Sequence, residues 1–155
     1  MEKSVYLDST ILSYLYDERE SIRNYIEATK EWWQDEREFY DLYISGETIA
    51  ELNEGDYVNK EKVLNLLFSI QVLPPDEQIF TIANVYIKNY LMPRNLEGDS
   101  IHLAYASFYK MDFLLTWNCN HLANANKKKH IQIINTQLGL FTPEIITPLQ
   151  LFREK

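Results

Sequence analysis

The fold is decided by Ser4-Val5-Tyr6-Leu7-Asp8-Ser9-Thr10, a short apolar run that ends in a carboxylate and two hydroxyls. An amphipathic segment follows at once, so the stretch predicts a central β-strand that leads into a helix. Ligands of open parallel sheets bind at the carboxyl ends of the strands, which places Asp8 where a cation or phosphate can reach it. Taken alone, Asp8 or Ser9 is also suited to cap the following helix. Comparable acids at three later strand or helix ends favour a functional role for Asp8.

The length and composition predict one domain over residues 1–155. The chain has 155 residues, of which 46% are hydrophobic, enough for a three-layer core. No apolar stretch approaches the roughly 20 residues that a bilayer-spanning helix needs, and no signal-peptide core follows Met1-Glu2-Lys3. The single Cys119 has no partner for a disulfide or a zinc site. We therefore expect a cytoplasmic protein with no membrane partner, in which any metal is a hard cation bound by oxygen.

The net charge of −8 bears on the possible partners. Non-specific adhesion to nucleic acid requires many Lys and Arg side chains that face phosphates, so this class of protein is disfavoured. A bound divalent ion reverses the sign of the charge inside an acidic pocket. The composition therefore remains compatible with a nucleic-acid substrate at a metal site.

Apolar periodicity predicts helices and strands in alternation. We expect long helices over 20–40 and 79–91, and a further helix that runs through Lys129. The aromatic residues of 20–40 are interpreted as a packed face or dimer surface in preference to a base-stacking platform, and Lys127 to Lys129 as a basic C-terminal turn in preference to a phosphate contact. This alternation predicts an α/β fold, a three-layer α/β/α arrangement around a central, mainly parallel sheet of about five strands. The strands are expected at 4–7, 42–44, 70–73, 113–116 and 131–134.

Three later acids lie on predicted helices. Glu47 is explained by the dipole of its helix, because it lies in the first turn, whereas Glu51 lies one turn further in and has no such explanation. Asp99 opens another helix, where capping alone accounts for an acid. His102 lies one turn beyond Asp99 and is a possible base or ligand, but we interpret it as a polar residue at the helix edge.

Four segments together resemble the PIN-domain nucleases, especially the small VapC-like toxins of type II toxin-antitoxin systems. The segments are Tyr6-Leu7-Asp8-Ser9-Thr10, Thr48-Ile49-Ala50-Glu51-Leu52, Gly98-Asp99-Ser100-Ile101-His102-Leu103-Ala104 and Leu114-Leu115-Thr116-Trp117-Asn118. The resemblance covers nearly the whole chain and implies a PIN-like fold.

The resemblance also implies the residues of the active site. Asp8, Glu51 and Asp99 would be the metal-binding acids, while the hydroxyls of Ser9 and Thr116 would orient ligands or water. Asn118 occupies a position where the wider family usually has a fourth acid, although an amide carbonyl can still ligate a hard cation. The expected catalytic set is Asp8, Ser9, Glu51, Asp99, Thr116 and Asn118, with Asp8, Glu51, Asp99 and Asn118 as the metal ligands.

The activity implied by the resemblance is endonucleolytic cleavage of RNA that depends on Mg²⁺ or Mn²⁺, with metal-bound water or hydroxide as the nucleophile. Two such ions about 4 Å apart can activate water and stabilise both the attacking and the leaving oxygen. A homodimer is implied, as is a small antitoxin whose basic tail enters the acidic groove.

Three other functions compete with this interpretation. The first is a PIN-like binding or regulatory module with weakened catalysis, which Asn118 favours. The second is a phosphoryl-transfer protein such as a receiver or phosphatase-like domain, which needs a further acid beside Asp8 and a Lys after a later strand. This class is disfavoured because Ser9 and Thr10 follow Asp8 and no strand clearly ends in Lys. The third, a dinucleotide enzyme, is excluded because the chain has only 4 Gly and no Gly-rich turn after its first strand.

Overall fold

A central parallel sheet organises the protein, for which a computed structural model describes residues 2–89, 91–92, 97–118, 122 and 124–153. The strands are β1 (Lys3–Leu7), β2 (Tyr40–Ile44), β3 (Gln71–Val72), β4 (Phe113–Leu115) and β5 (Glu144–Ile146), in the order β3-β2-β1-β4-β5, and all neighbouring pairs are parallel. The chain builds outward from β1 to β3 and then returns to the other side of β1. The carboxyl ends of β1 and β4 therefore flank the topological switch point, where open α/β sheets bind ligands.

Helices cover both faces of the sheet. The helices are α1 (Ser9–Tyr14), α2 (Arg23–Asp35), α3 (Gly46–Asn53), α4 (Lys60–Leu66), α5 (Glu77–Lys88), α6 (Glu97–Phe108) and α7 (Ala125–Leu138). Because side chains alternate along β1, Tyr6 lies in one hydrophobic cluster with α5, α6 and α7, whereas Val5 and Leu7 lie in a second cluster with α1 to α4. The predicted three-layer α/β/α fold is confirmed.

The strand predicted over 131–134 is wrong, because these residues lie inside α7 and the fifth strand is β5. Ile131 and Ile134 are buried on one face of α7, whereas Ile133 is half exposed. The helix ends at Gly139, whose left-handed φ of 72° lets its N–H reach carbonyls of the last turn. The predicted helix through Lys129 therefore continues beyond it, and residues 127–129 lie in the first two turns, which overturns their interpretation as a C-terminal turn.

The long helix predicted over 20–40 is divided into three pieces. Residues Glu20–Ile22 and Arg37–Phe39 form 3₁₀ turns on either side of α2, and β2 begins at Tyr40. Trp32 and Trp33 are buried in the core, as the packed-face interpretation predicts, whereas Tyr25 is exposed. Cys119 and the predicted helix end near Pro93 lie outside the described residues. None of the helices in the described ranges has the length and hydrophobicity that crossing a membrane requires.

Candidate active site

Asp8 lies directly after β1, is only 2% exposed and has protein donors on both carboxylate oxygens. Its Oδ1 accepts hydrogen bonds from the backbone N–H of Thr10 at 3.0 Å and from Thr10 Oγ1 at 2.5 Å, and its Oδ2 accepts one from Thr116 Oγ1. Burial raises the pKa of the Asp8 carboxyl, although the charge of His102 and the two hydroxyl donors oppose this effect. Asp8 therefore caps α1 and also presents a buried carboxylate at the switch point.

A chain of hydrogen bonds leads from Asp8 to Asp99. The hydroxyl of Thr116, which follows β4, donates to Asp8 and accepts the backbone N–H of Asn118 at 2.9 Å. The side-chain Nδ2 of Asn118 donates to Asp99 Oδ2 at 2.6 Å. Four predicted site residues that lie up to 110 positions apart are thus joined in one polar chain.

Glu51 reaches the same edge of the sheet from α3. The hydroxyl of Thr48, in the same helix, donates to the carbonyl of Leu7 at 3.2 Å and so fastens α3 to the end of β1. The Glu51 side chain is 33% exposed, and its charge contributes to the raised pKa of Asp8. Its Oε1 accepts a hydrogen bond from His102 Nε2.

His102 is a site residue that sequence reasoning placed wrongly. It is 1% exposed, and its Nδ1 lies 2.6 Å from the hydroxyl oxygen of Tyr6, so it does not lie at a helix edge. Burial alone lowers the pKa of the His102 imidazole, but Tyr6, Glu51 and Asp8 raise it by more, so the pKa lies well above its ordinary value. One local signal was present in the sequence, since the apolar residues Tyr105 and Ala106 lie three and four positions after His102 and therefore on the same helix face.

Ser9 lies at the wall of an adjoining cavity of about 730 Å³ that Glu51 also lines. Three further acids line this cavity, namely Asp17, Glu18 and Glu54, together with the basic residue Arg19. Arg19 is paired with Asp17 at 2.7 Å. The formal charge of these charged lining residues is therefore negative.

Comparison with known proteins identifies the family. The model of the PIN domain matches residues 5–128. The chain belongs to the PIN domain family. PIN domains are nucleases, and hence hydrolases. No curated protein gives a match.

Two solved structures share this PIN fold. FitAcB from Neisseria gonorrhoeae is 15% identical with a TM-score of 0.56, and the alignment covers 95% of this chain and 99% of that one. VapBC-1 from nontypeable Haemophilus influenzae is 19% identical with a TM-score of 0.58 and the same coverage. Because both identities are below 25%, these similarities show a common fold and nothing further.

The PIN family implies a divalent metal, and the donors at the switch point have the matching chemistry. Asp8, Glu51, Asp99 and the carbonyl of Asn118 offer only oxygen, which Mg²⁺ and Mn²⁺ prefer. Among the residues that the structure describes, however, no three His, Cys, Asp or Glu side chains are grouped closely enough to hold an ion. Each of the three acids instead has a protein hydrogen-bond donor. Their roles as metal ligands therefore stay a prediction.

Proposed function

We propose that this PIN domain is a metal-dependent endoribonuclease and the toxin of a toxin-antitoxin pair. The observation that supports it best is the hydrogen-bonded chain from Asp8 through Thr116 and Asn118 to Asp99 at the switch point. Glu51 adds a third carboxylate within electrostatic reach of Asp8. The sequence resemblance to VapC-like toxins supports RNA as the substrate.

In this proposal the chain's own residues orient the ligands. Asp8, Glu51, Asp99 and the Asn118 carbonyl would hold Mg²⁺ or Mn²⁺, which when bound lowers the pKa of water and neutralises charge on a phosphodiester. Thr116 fixes the rotamer of Asp8 through Oδ2. The amide of Asn118 turns its nitrogen to Asp99, so its carbonyl oxygen is the atom suited to a cation.

The charge balance predicts the number of ions. Three carboxylates contribute −3, so two divalent ions would leave a net charge of about +1 that attracts phosphate. A fourth carboxylate in place of Asn118 would bring the sum to zero and bind the second ion more tightly. We therefore propose that one Mg²⁺ binds the free protein well and that a second arrives with the RNA. Calorimetric titration of Mg²⁺ into the RNA-free protein tests this, and two tight sites would refute it.

A cleavage assay with matched variants tests the activity. The Asp8→Asn variant keeps a good helix cap but removes the carboxylate, so RNA cleavage should be lost. Asp76→Asn is the control, because Asp76 caps α5 with its Oδ1 on the N–H of Gln78 and should tolerate Asn without loss of activity. Cleavage should also stop when EDTA removes the metal and return with Mg²⁺ or Mn²⁺. Full cleavage by Asp8→Asn, or in EDTA, would contradict the proposal.

A catalytically weakened binding or regulatory module is the second candidate, favoured by Asn118 at the position of a fourth acid. Expression in a bacterial host separates the two functions. A toxin should arrest growth in an Asp8-dependent manner. RNA binding without cleavage, unaffected by Asp8→Asn, would favour the module.

The proposed partners are a homodimer mate and a small antitoxin with a basic tail. The negative charge around the cavity beside Ser9 and Glu51 supports a basic segment as its occupant. Light scattering during size-exclusion chromatography measures the mass of the free protein. A monomeric mass at micromolar concentration would contradict the homodimer.

A further inference from the structure

One face of α6 lies against the Glu51 carboxylate. Gly98 and His102 are four residues apart and therefore share a helix face. His102 Nε2 bonds to Glu51 Oε1. A Cβ atom added at Gly98 would lie 3.0 Å from Glu51 Oε2, 3.3 Å from Glu47 Oε1 and 3.7 Å from Glu51 Cδ. The carboxylate is thus contacted at one oxygen by the imidazole, while its other oxygen lies beside the space that a side chain at Gly98 would fill.

The other ring nitrogen of His102, Nδ1, also has a hydrogen-bond partner. The Tyr6 hydroxyl oxygen lies 2.6 Å from His102 Nδ1 and 2.7 Å from Ser45 Oγ, and Tyr6, Ser45 and His102 are all at most 1% exposed. Ser45 Oγ accepts the N–H of Glu47 at 3.2 Å, so its own hydrogen is available to Tyr6. Tyr6 can then donate to Nδ1, which leaves the hydrogen on Nε2 for Glu51. The doubly protonated ring also has a hydrogen on Nε2, so the contact with Glu51 is kept in either state.

Gly98 has no conformational need to be glycine. The glycines with positive φ in the described chain are Gly55 and Gly139, so Gly98 adopts a backbone conformation open to any residue. Glycine in a helix is destabilising by about 0.5–1 kcal/mol relative to alanine. The space that it leaves for the carboxylates of Glu47 and Glu51 is the feature that alanine would remove.

We infer that Gly98 and His102 form a seat that orients the Glu51 carboxylate for the metal, so that both act as positioning residues. The inference rests on the proposed metal-dependent function and assigns neither residue to the metal itself. Hydrogen-bond partners of ligating carboxylates typically affect metal affinity by about 10–100-fold. The two residues of the seat lie on α6, the same helix that carries Asp99.

Binding of Mn²⁺ to the RNA-free protein, measured by calorimetry beside thermal melting, tests the seat. Gly98→Ala should bind Mn²⁺ about 10–100-fold more weakly, while its Tm stays level or rises. Gly46→Ala, in α3, is the matched control, because a Cβ there meets nothing within 4 Å. This variant should bind Mn²⁺ with wild-type affinity. His102→Leu should lose a similar factor, and His102→Gln, whose amide N–H can replace Nε2–H, should recover most of it.

The outcomes separate the seat from the function on which it rests. Failure of the wild-type chain to bind Mn²⁺ would overturn both proposals. Wild-type binding that is unchanged in Gly98→Ala and His102→Leu would overturn the seat alone. Affinity that falls in Gly98→Ala only together with its Tm would also overturn it, because that pattern indicates damage to the fold.

Discussion

Replacement of Thr116 by valine is the sharpest test of how the switch point is built. Thr116 is fully buried, and its hydroxyl has two partners: it donates to Asp8 Oδ2 and accepts the N–H of Asn118 at 2.9 Å. Valine keeps the shape of the side chain but removes both hydrogen bonds. The series of hydrogen bonds that links Asp8 to Asp99 is thereby interrupted at its centre.

The cost of Thr116→Val follows from those two bonds. A hydrogen bond to a charged group contributes about 1.5–3 kcal/mol and a neutral one about 1 kcal/mol. Since the two share one hydroxyl and are not additive, we expect a loss of about 2–4 kcal/mol in the free energy of unfolding. For a protein of this size 1 kcal/mol corresponds to about 2–4 °C, so the Tm should fall by about 4–16 °C.

Chemical and thermal unfolding of the metal-free protein measure this loss, and Thr116→Ser is the matched control. Serine keeps the hydroxyl and removes only a buried methyl group, which costs about 1 kcal/mol. The valine variant should also bind Mn²⁺ more weakly, because Asp8 loses the donor that fixes its rotamer. A valine variant as stable as the serine variant, with wild-type affinity for Mn²⁺, would refute the role assigned to the hydroxyl.

Three further predictions concern other parts of the chain. Asn118→Asp replaces the 2.6 Å hydrogen bond to Asp99 by repulsion between like charges. Calorimetry should therefore show tighter Mg²⁺ binding without RNA, and thermal melting should show a lower Tm of the metal-free protein. No change in either quantity would contradict the charge balance. Tyr86→Phe leaves the buried Asn135 Oδ1 without its 2.6 Å donor and should cost about 1–3 kcal/mol in urea unfolding, with RNA cleavage per folded molecule unchanged. Gly139→Ala forces an L-residue to a φ of 72° in open space and should cost about 1–2 kcal/mol; unaltered stability would contradict the left-handed cap.

The elements that sequence reasoning located best are those with local signals. Strand β1 is a short apolar run bounded by polar residues, and its predicted and observed limits differ by one residue. The run 131–134 has equally apolar character, but too few residues to distinguish a strand from a helix. Asn124, whose side chain accepts the N–H of Lys127, and Gly139 mark the true ends of α7, and their spacing argues for a helix.

The candidate site also contains residues that local sequence patterns predict and contacts that they do not. Asp8 and Thr116 follow strands and Asp99 lies in the first helical turn, so their positions were predictable from local pattern. The bond between His102 and Glu51 joins residues 51 positions apart, and the contact of His102 with Tyr6 spans 96 positions. Such pairs arise only when α6 packs on the sheet, and no local periodicity reports them.

Strand β1 supports the candidate site through Tyr6 and through Asp8, which directly follows its last residue, and this ties the chemistry to the core. Asp8 ends the strand, while Tyr6, two residues earlier, points into the cluster beneath α6 and reaches His102. Because side chains on a strand alternate, shifting β1 by one residue would move Asp8 and Tyr6 together and bury the wrong face. The register that pairs Tyr6 with Leu114 of β4 therefore sets the core and aligns Asp8 with Thr116. Evolution of a new specificity in this PIN domain has more freedom in the cavity walls than in β1, where a single substitution affects folding and the site at once.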